Sequence, residues 1–231
     1  MAIRLTRGFV PLNAPMPLPA ALLLDLDGTT VDSEPLHCES HRRFLATKGI
    51  AVTDAELVGN IGKGDQSFYT TLMAERGLEG DANAWVEAKT DALIALYREG
   101  RLTLRPGVQS LLDRARHAGV CCMVVTSADR RLAVAALEVT GLAARLPMRV
   151  CYEDVTEHKP HPEPYLLAAA RLSVPAQRCL AIEDSISGVR AARAAGCRVL
   201  AFRGLVADSA LIQAGAHELV NTLDGIDWNI A

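Results

Sequence analysis

The chain is short of aromatic residues, which make up 4% of its 231 positions, while apolar residues as a whole reach 50%. With alanine and leucine abundant in their place, helices packed on a sheet are favoured. Positive charge is not in excess either: the formal net charge is −3, so the basic footprint of a nucleic-acid binder is missing. Nor is there a like-charge run long enough for a disordered tail. No apolar run is long enough to cross a membrane. The stretch Met1 to Pro19 is broken by Pro11, Pro15, Pro17 and Pro19. A secretory leader needs about 7–15 uninterrupted apolar residues, so residues 1–19 are expected to form a loose extension. The cysteines (Cys38, Cys121, Cys122, Cys151, Cys179, Cys197) form no Cys-x-x-Cys pair, and several fall in strand-like runs. They read as reduced core thiols of a cytoplasmic protein. Internal repeats are absent.

What is present is organised around Leu22-Leu23-Leu24-Asp25-Leu26-Asp27-Gly28-Thr29. The leucines predict a short strand apolar on both faces, as in a buried parallel sheet. Residues i and i+2 of a strand share a face, so Asp25 and Asp27 are expected to aim together past its carboxyl end. Two adjacent acids repel unless a cation lies between them. From Leu36 to about Arg101 the periodicity is helical, with predicted helices over Leu36–Thr47, a short one from Asp54, Asp65–Arg76 and Ala82–Arg98. Pro106 suits the first turn of a helix over Val108–Ala118. Strands and helices then alternate to Glu218-Leu219-Val220, the pattern of a parallel sheet covered by helices.

Three later stretches carry chemistry. Val124-Val125-Thr126-Ser127-Ala128 ends an apolar strand in hydroxyls and turns into a helix, where Ser127 and free backbone N–H groups can hold a phosphoryl oxygen. Alone, a Ser or Asp there is as readily a helix cap. Lys159 sits in the stiffened run Lys159-Pro160-His161-Pro162-Glu163-Pro164, which aims a cation at small ordering cost. Glu183-Asp184-Ser185 follows another buried strand, and with Asp25 and Asp27 supplies hard oxygen ligands suited to Mg²⁺. His37 and His41 lie one helical turn apart, but Cys38 stands where a zinc protease needs Glu, and a helical-face role is expected.

Taken in order from Leu22 to Gly188, the four stretches resemble the four motifs of the haloacid dehalogenase superfamily, in its phosphatase and phosphomutase branch. The resemblance implies an α/β fold: a Rossmann-like core (residues 20–32 and 104–231) with a helical cap (residues 33–103) inserted after the first strand. It implies Asp25 as the nucleophile forming an aspartyl-phosphate, and Asp27 as acid and base with a proton retained near neutral pH. Mg²⁺ would be held by the Asp25 carboxylate, the Asp27 backbone carbonyl and Asp184, with Glu183 in support. Lys159, Ser127 and Ala128 would orient the phosphoryl group, and Glu34, His37 and Lys63 would face the rest of the substrate from the cap. The expected substrate is a small phosphorylated metabolite such as a sugar phosphate, handled by a monomer without nucleic-acid or membrane partners. A β-phosphoglucomutase-like phosphotransferase is the alternative. It would need a cap cation for a second phosphate, and Lys63 is a point charge where that branch has the forked arginine. A silent binding protein is disfavoured because every motif acid is present.

Overall fold

The computed structural model describes residues 16–58, 64–226 and 228–229. The elements in chain order are β1 (Met16–Pro17), β2 (Ala21–Leu24), β3 (Val31–Asp32), α1 (Glu34–Ala46), α2 (Asp54–Val58), α3 (Asp65–Arg76), α4 (Ala82–Leu96) and β4 (Thr103–Leu104). They continue through α5 (Val108–His117), β5 (Cys121–Val125), α6 (Arg130–Val139), β6 (Arg149–Val150), α7 (Glu163–Arg171) and β7 (Cys179–Glu183). The last are α8 (Ile186–Ala194), β8 (Arg198–Phe202), α9 (Asp208–Ala214), β9 (Glu218–Val220) and β10 (Trp228–Asn229).

Six strands form one parallel sheet in the order β6-β5-β2-β7-β8-β9. The chain builds outward from β2 through β5 to β6, then returns to β7 on β2's other side. The reversal at β2 is the switch point where open α/β sheets bind ligands. Side chains alternate across the sheet. Leu22, Leu24, Val124 and Ile182 join one apolar cluster with residues of α5 and α6. Leu23, Met123, Val125 and Ala181 join a second with residues of α7, α8 and α9. All three leucines of β2 are 0–1% exposed, each contributing about 1.5–3 kcal/mol of burial.

Helices α1 to α4 lie between β3 and β4. Phe44, Tyr69 and Trp85 pack edge to face there, with Phe68 tilted against Tyr69, in an apolar cluster of their own. The inner ends of α1 and α4 contribute Leu36, Leu93, Ile94 and Leu96 to the sheet-side cluster instead. Where that insert leaves and rejoins the sheet, β3 and β4 pair antiparallel, Val31 opposite Leu104 and Asp32 opposite Thr103. A two-residue pair has no readable periodicity.

Two expectations are corrected. Pro106 precedes α5 rather than opening it: Gly107 is the N-cap, and the Pro106 carbonyl accepts from the Leu223 N–H at 2.9 Å. The cysteines are all free, but only Cys151, Cys179 and Cys197 are buried; Cys121 is exposed at the start of β5, with Cys38 and Cys122 half-buried. Among the described residues no helix is long and apolar enough to cross a membrane.

Candidate active site

Sheet register assembles the centre of the site. Leu24 lies opposite both Val124 and Ile182, so the next row across the sheet is Val125, Asp25 and Glu183. The Lys159 ammonium closes over that row, donating to Asp25 Oδ1 at 2.6 Å, Glu183 Oε1 at 2.5 Å and the Val125 carbonyl at 2.9 Å. Its side chain is only 4% exposed. Burial opposes its charge, but Asp25 and Glu183 more than offset this and hold it above the ordinary lysine range.

Glu183 is fully buried. The Tyr165 hydroxyl also donates to its Oε1 at 2.6 Å, and the Ser185 hydroxyl to its Oε2 at 3.1 Å. Ser185 in turn caps α8 by accepting from the Gly188 N–H at 3.0 Å. Helix α8 presses so close that a Cβ on Gly188 would come within 1.9 Å of Glu183 Oε1.

Carboxylate oxygens of Asp25, Glu183 and Asp184 all lie within 4.8 Å of one another. With Lys159 as the cation among them, the cluster keeps an excess of negative charge. Burial first, and the charge of Glu183 next, raise the Asp25 carboxyl well above the usual range and push Asp184 up to about 7. Closely set oxygen donors that repel one another in a buried pocket fit a hard divalent cation.

Asp27 faces a different set. It accepts from the Ser33 hydroxyl at 2.6 Å, and His37 Nε2 stands 3.5 Å from the same oxygen. Burial favours the protonated acid, but His37, then Ser33 and Lys89, together hold its carboxyl below the ordinary range. The expectation that Asp27 retains its proton is therefore not met in this arrangement, because hydrogen-bond donors surround the charged form. Behind His37 lies Lys89 on α4, 1% exposed, its ammonium 2.8 Å from both His37 Nδ1 and Asp65 Oδ2. Asp65 Oδ1 is 3.3 Å from His41 Nε2, and His41 Nδ1 is 2.8 Å from the Tyr69 hydroxyl. His37 and His41 therefore serve a chain of polar contacts, not a shared metal.

The remaining expected residues are placed as follows. Glu34 opens α1 beside this group; burial raises its carboxyl, and its charge acts on Asp27 and on Asp184. Ser127 is exposed at the end of β5 and bonds to no other described residue. Asp129, not Ser127, caps α6, accepting from the Leu132 N–H at 2.7 Å. The Ala128 amide is engaged within the turn, donating to Thr126 Oγ1 at 2.9 Å. Lys63 lies outside the described residues. Thr29, Ser33, Lys89 and Tyr165 were not singled out from sequence. Thr29, which donates to Asp184 Oδ1 at 3.2 Å, and Ser33 adjoin the first motif and could have been read from it. Lys89 and Tyr165 lie on helices without local signal.

Residues 19–196 match the model of the haloacid dehalogenase-like hydrolase family. The chain is 34% identical over 214 residues to a plasmid phosphoglycolate phosphatase of Cupriavidus necator, covering 89% of this chain and 90% of that one. It is 32% identical over 186 residues to an N-acetylmuramic acid 6-phosphate phosphatase of Pseudomonas aeruginosa, covering 79% and 81%. Among solved structures it superposes with a TM-score of 0.78 on a mutant of CbbY from Rhodobacter sphaeroides in complex with xylulose-(1,5)-bisphosphate. That match has 28% identity and covers 89% of this chain and 95% of the other. The chain belongs to the haloacid dehalogenase-like hydrolase family.

Proposed function

We propose that this enzyme is a phosphoric monoester hydrolase that removes the phosphoryl group of a small phosphorylated sugar or acid, with Asp25 as nucleophile. The observation that carries the reading is the level row of Asp25 and Glu183 bridged by Lys159, with Asp184 beside it, at the switch point of the sheet. The relatives named above act on phosphorylated acids and sugars. In this reading residues 20–32 and 104–231 form the catalytic body and residues 33–103 the cap.

In the first step an Asp25 carboxylate oxygen attacks phosphorus, the bond to the leaving oxygen breaks, and Asp27 delivers a proton to the departing alkoxide. In the second, Asp27 as base takes a proton from water, whose oxygen attacks phosphorus and breaks its bond to Asp25. The charged Asp27 of this structure is the form the second step needs; the first requires its proton, which Ser33 and His37 oppose here. Lys159 holds the Asp25 carboxylate in place, and Glu183 and Tyr165 hold Lys159 through the contacts described. Ser127, with no other bond to make among the described residues, is free for a phosphoryl oxygen. Asp25, Asp184 and the Asp27 backbone carbonyl would hold Mg²⁺, supported by Glu183, and that ion supplies charge compensation for the anionic phosphoryl group. Glu34 faces the substrate beyond phosphorus.

The test is a panel of phosphorylated metabolites with Mg²⁺, assayed for phosphate release. Steady release from an acid or sugar phosphate is expected. Turnover of a hexose 1-phosphate without release would establish the mutase instead, and no turnover of any panel member would overturn both.

A further inference from the structure

Helices α4 and α6 face each other across a groove of about 550 Å³, with Asp91 and Ile94 on one bank and Arg131 and Val134 on the other. The C-terminal half of α4 is packed: Leu93, Ile94 and Leu96 share an apolar cluster with Leu132, Ala135 and Ala136 of α6. Further out along α4 a polar bridge takes over. Arg131 donates through Nη1 to Asp91 Oδ1 at 2.6 Å and through Nη2 to Glu87 Oε2 at 2.9 Å. The two acids are four residues apart on one helix face, so a single guanidinium fork reaches both. Among the described residues only one other ion-pair contact joins helices α1 to α4 to the rest of the chain, His37 with Asp27. The two contacts hold α4 from opposite sides. Residues advance about 100° each round a helix, so Lys89, midway between Glu87 and Asp91, points the other way. Its ammonium lies 2.8 Å from His37 Nδ1, and His37 Nε2 lies 3.5 Å from Asp27. A groove that side chains leave unfilled does not fix the spacing of the helices beside it. A charged fork spanning that groove does.

We propose that Arg131 is a positioning residue for the cap: by bridging the groove to Glu87 and Asp91 it holds α4 down on the catalytic body, without touching substrate. For its kinetic consequence this rests on the proposed phosphatase reading. Exposed ion pairs add little to the stability of a whole fold. They count here because the equilibrium they bias is a small one, the cap in place against the cap lifted about the β3–β4 pair. Substrate is held productively only with the cap in place, so its apparent affinity scales with the fraction of molecules in that state.

Arg131→Gln removes the fork and its charge. At about 0.02 M salt, KM for the panel's fastest substrate is expected to rise about threefold to tenfold, with kcat within about twofold of wild type. Glu87→Gln with Asp91→Asn should give the same rise, and all three changes together no more than either. At about 0.5 M salt exposed pairs are screened, and the ratio of variant to wild-type KM should fall to about one. Arg131→Glu with Glu87→Lys and Asp91→Lys reverses every charge of the bridge and should restore KM to within about twofold of wild type. A second readout needs no substrate. Amide hydrogen exchange at Val31, Asp32, Thr103 and Leu104 should quicken in Arg131→Gln at low salt, since lifting the cap strains their pairing. A KM rise that the acid variants do not reproduce and charge reversal does not restore would make Arg131 a substrate contact and overturn the proposal. Unchanged KM or unchanged exchange in Arg131→Gln would overturn it too. If wild type turns over no panel member, the phosphatase reading falls and exchange alone decides the role of Arg131; if it does and the variants keep its KM, only the role of Arg131 falls.

Discussion

Gly28 follows the second motif acid and has a φ of +76°, a region L-residues avoid. A Cβ added there would lie 2.0 Å from Asp184 Oδ2 and 2.8 Å from its Cγ. Non-bonded carbon and oxygen cannot come much closer than about 3 Å, so in Gly28→Ala the Asp184 carboxyl must retreat by about 1 Å. Its other oxygen accepts from Thr29 at 3.2 Å, a bond the retreat would break. Backbone strain alone costs about 1–2 kcal/mol, which lowers Tm by roughly 2–8 °C in a protein of this size. Gly49 supplies the control: its φ is +71°, and nothing lies within 4 Å of where its Cβ would be. Gly49→Ala therefore carries the same strain and no collision, and should keep wild-type activity. The collision should show in metal use. Mg²⁺ demands near-ideal octahedral geometry, and disturbing even the outer contacts of a ligand typically costs 10- to 100-fold in affinity. The Mg²⁺ concentration for half-maximal phosphatase activity is expected to rise at least about tenfold in Gly28→Ala. Titrating activity with Mg²⁺ in wild type, Gly28→Ala and Gly49→Ala decides it, with melting curves on all three. A Gly28→Ala enzyme with the wild-type Mg²⁺ requirement would show that Asp184 holds no metal.

Two further outcomes follow from the charges. Lys159→Met leaves Asp25 and Glu183 buried without their cation, so activity should be lost. Breaking a buried ion pair costs about 3–5 kcal/mol, and urea melts should show such a loss at pH 8 and a smaller one at pH 5, where Asp25, its carboxyl raised by burial, takes up a proton more readily; equal losses would refute the charge argument. In wild type the same lysine is held above its ordinary range, so its contribution is complete below pH 10 or so and fades only in stronger alkali. For the metal-free protein, Asp184 keeps its proton to about pH 7, whereas the unfolded chain releases it near the ordinary 3.8. The native state then binds more protons between those values, so stability falls as pH rises through the window, by at most about 4 kcal/mol. Asp25 shifts in the same direction. Melting curves in chelator should be lower at pH 7.5 than at pH 5.5, and Mg²⁺ should reverse the difference; a flat profile would mean that burial and the Glu183 charge do not raise these carboxyls as described.

The parts of this site visible in sequence are those that neighbouring residues determine. Leu22 to Leu24 specify a buried strand, and the acids at its end must then appear at the sheet's carboxyl edge. The same logic at Ile182–Glu183 and Val124–Val125 places three strand ends level, and Lys159 needs only a stiff loop to reach them. The cap helices declare themselves by period. What stayed hidden depends on residues far apart in sequence. Lys89 sits in a helix whose pattern gives no reason to bury an ammonium. Its burial makes sense only once α1 brings His37 and α3 brings Asp65 to within 2.8 Å of it. Tyr165 resembles any core tyrosine until Glu183 is set against its hydroxyl. The charge bias of Asp27 is hidden for the same reason: the motif shows the acid, while Ser33 and His37, which favour its charged form, come from a neighbouring turn and from α1. In the proposed reading strand ends place the reacting groups, and packing of α1 and α4 against the sheet biases Asp27 toward its charged form. Relatives that share every motif acid can then differ in acid–base behaviour through cap residues such as Lys89, which the motifs do not contain.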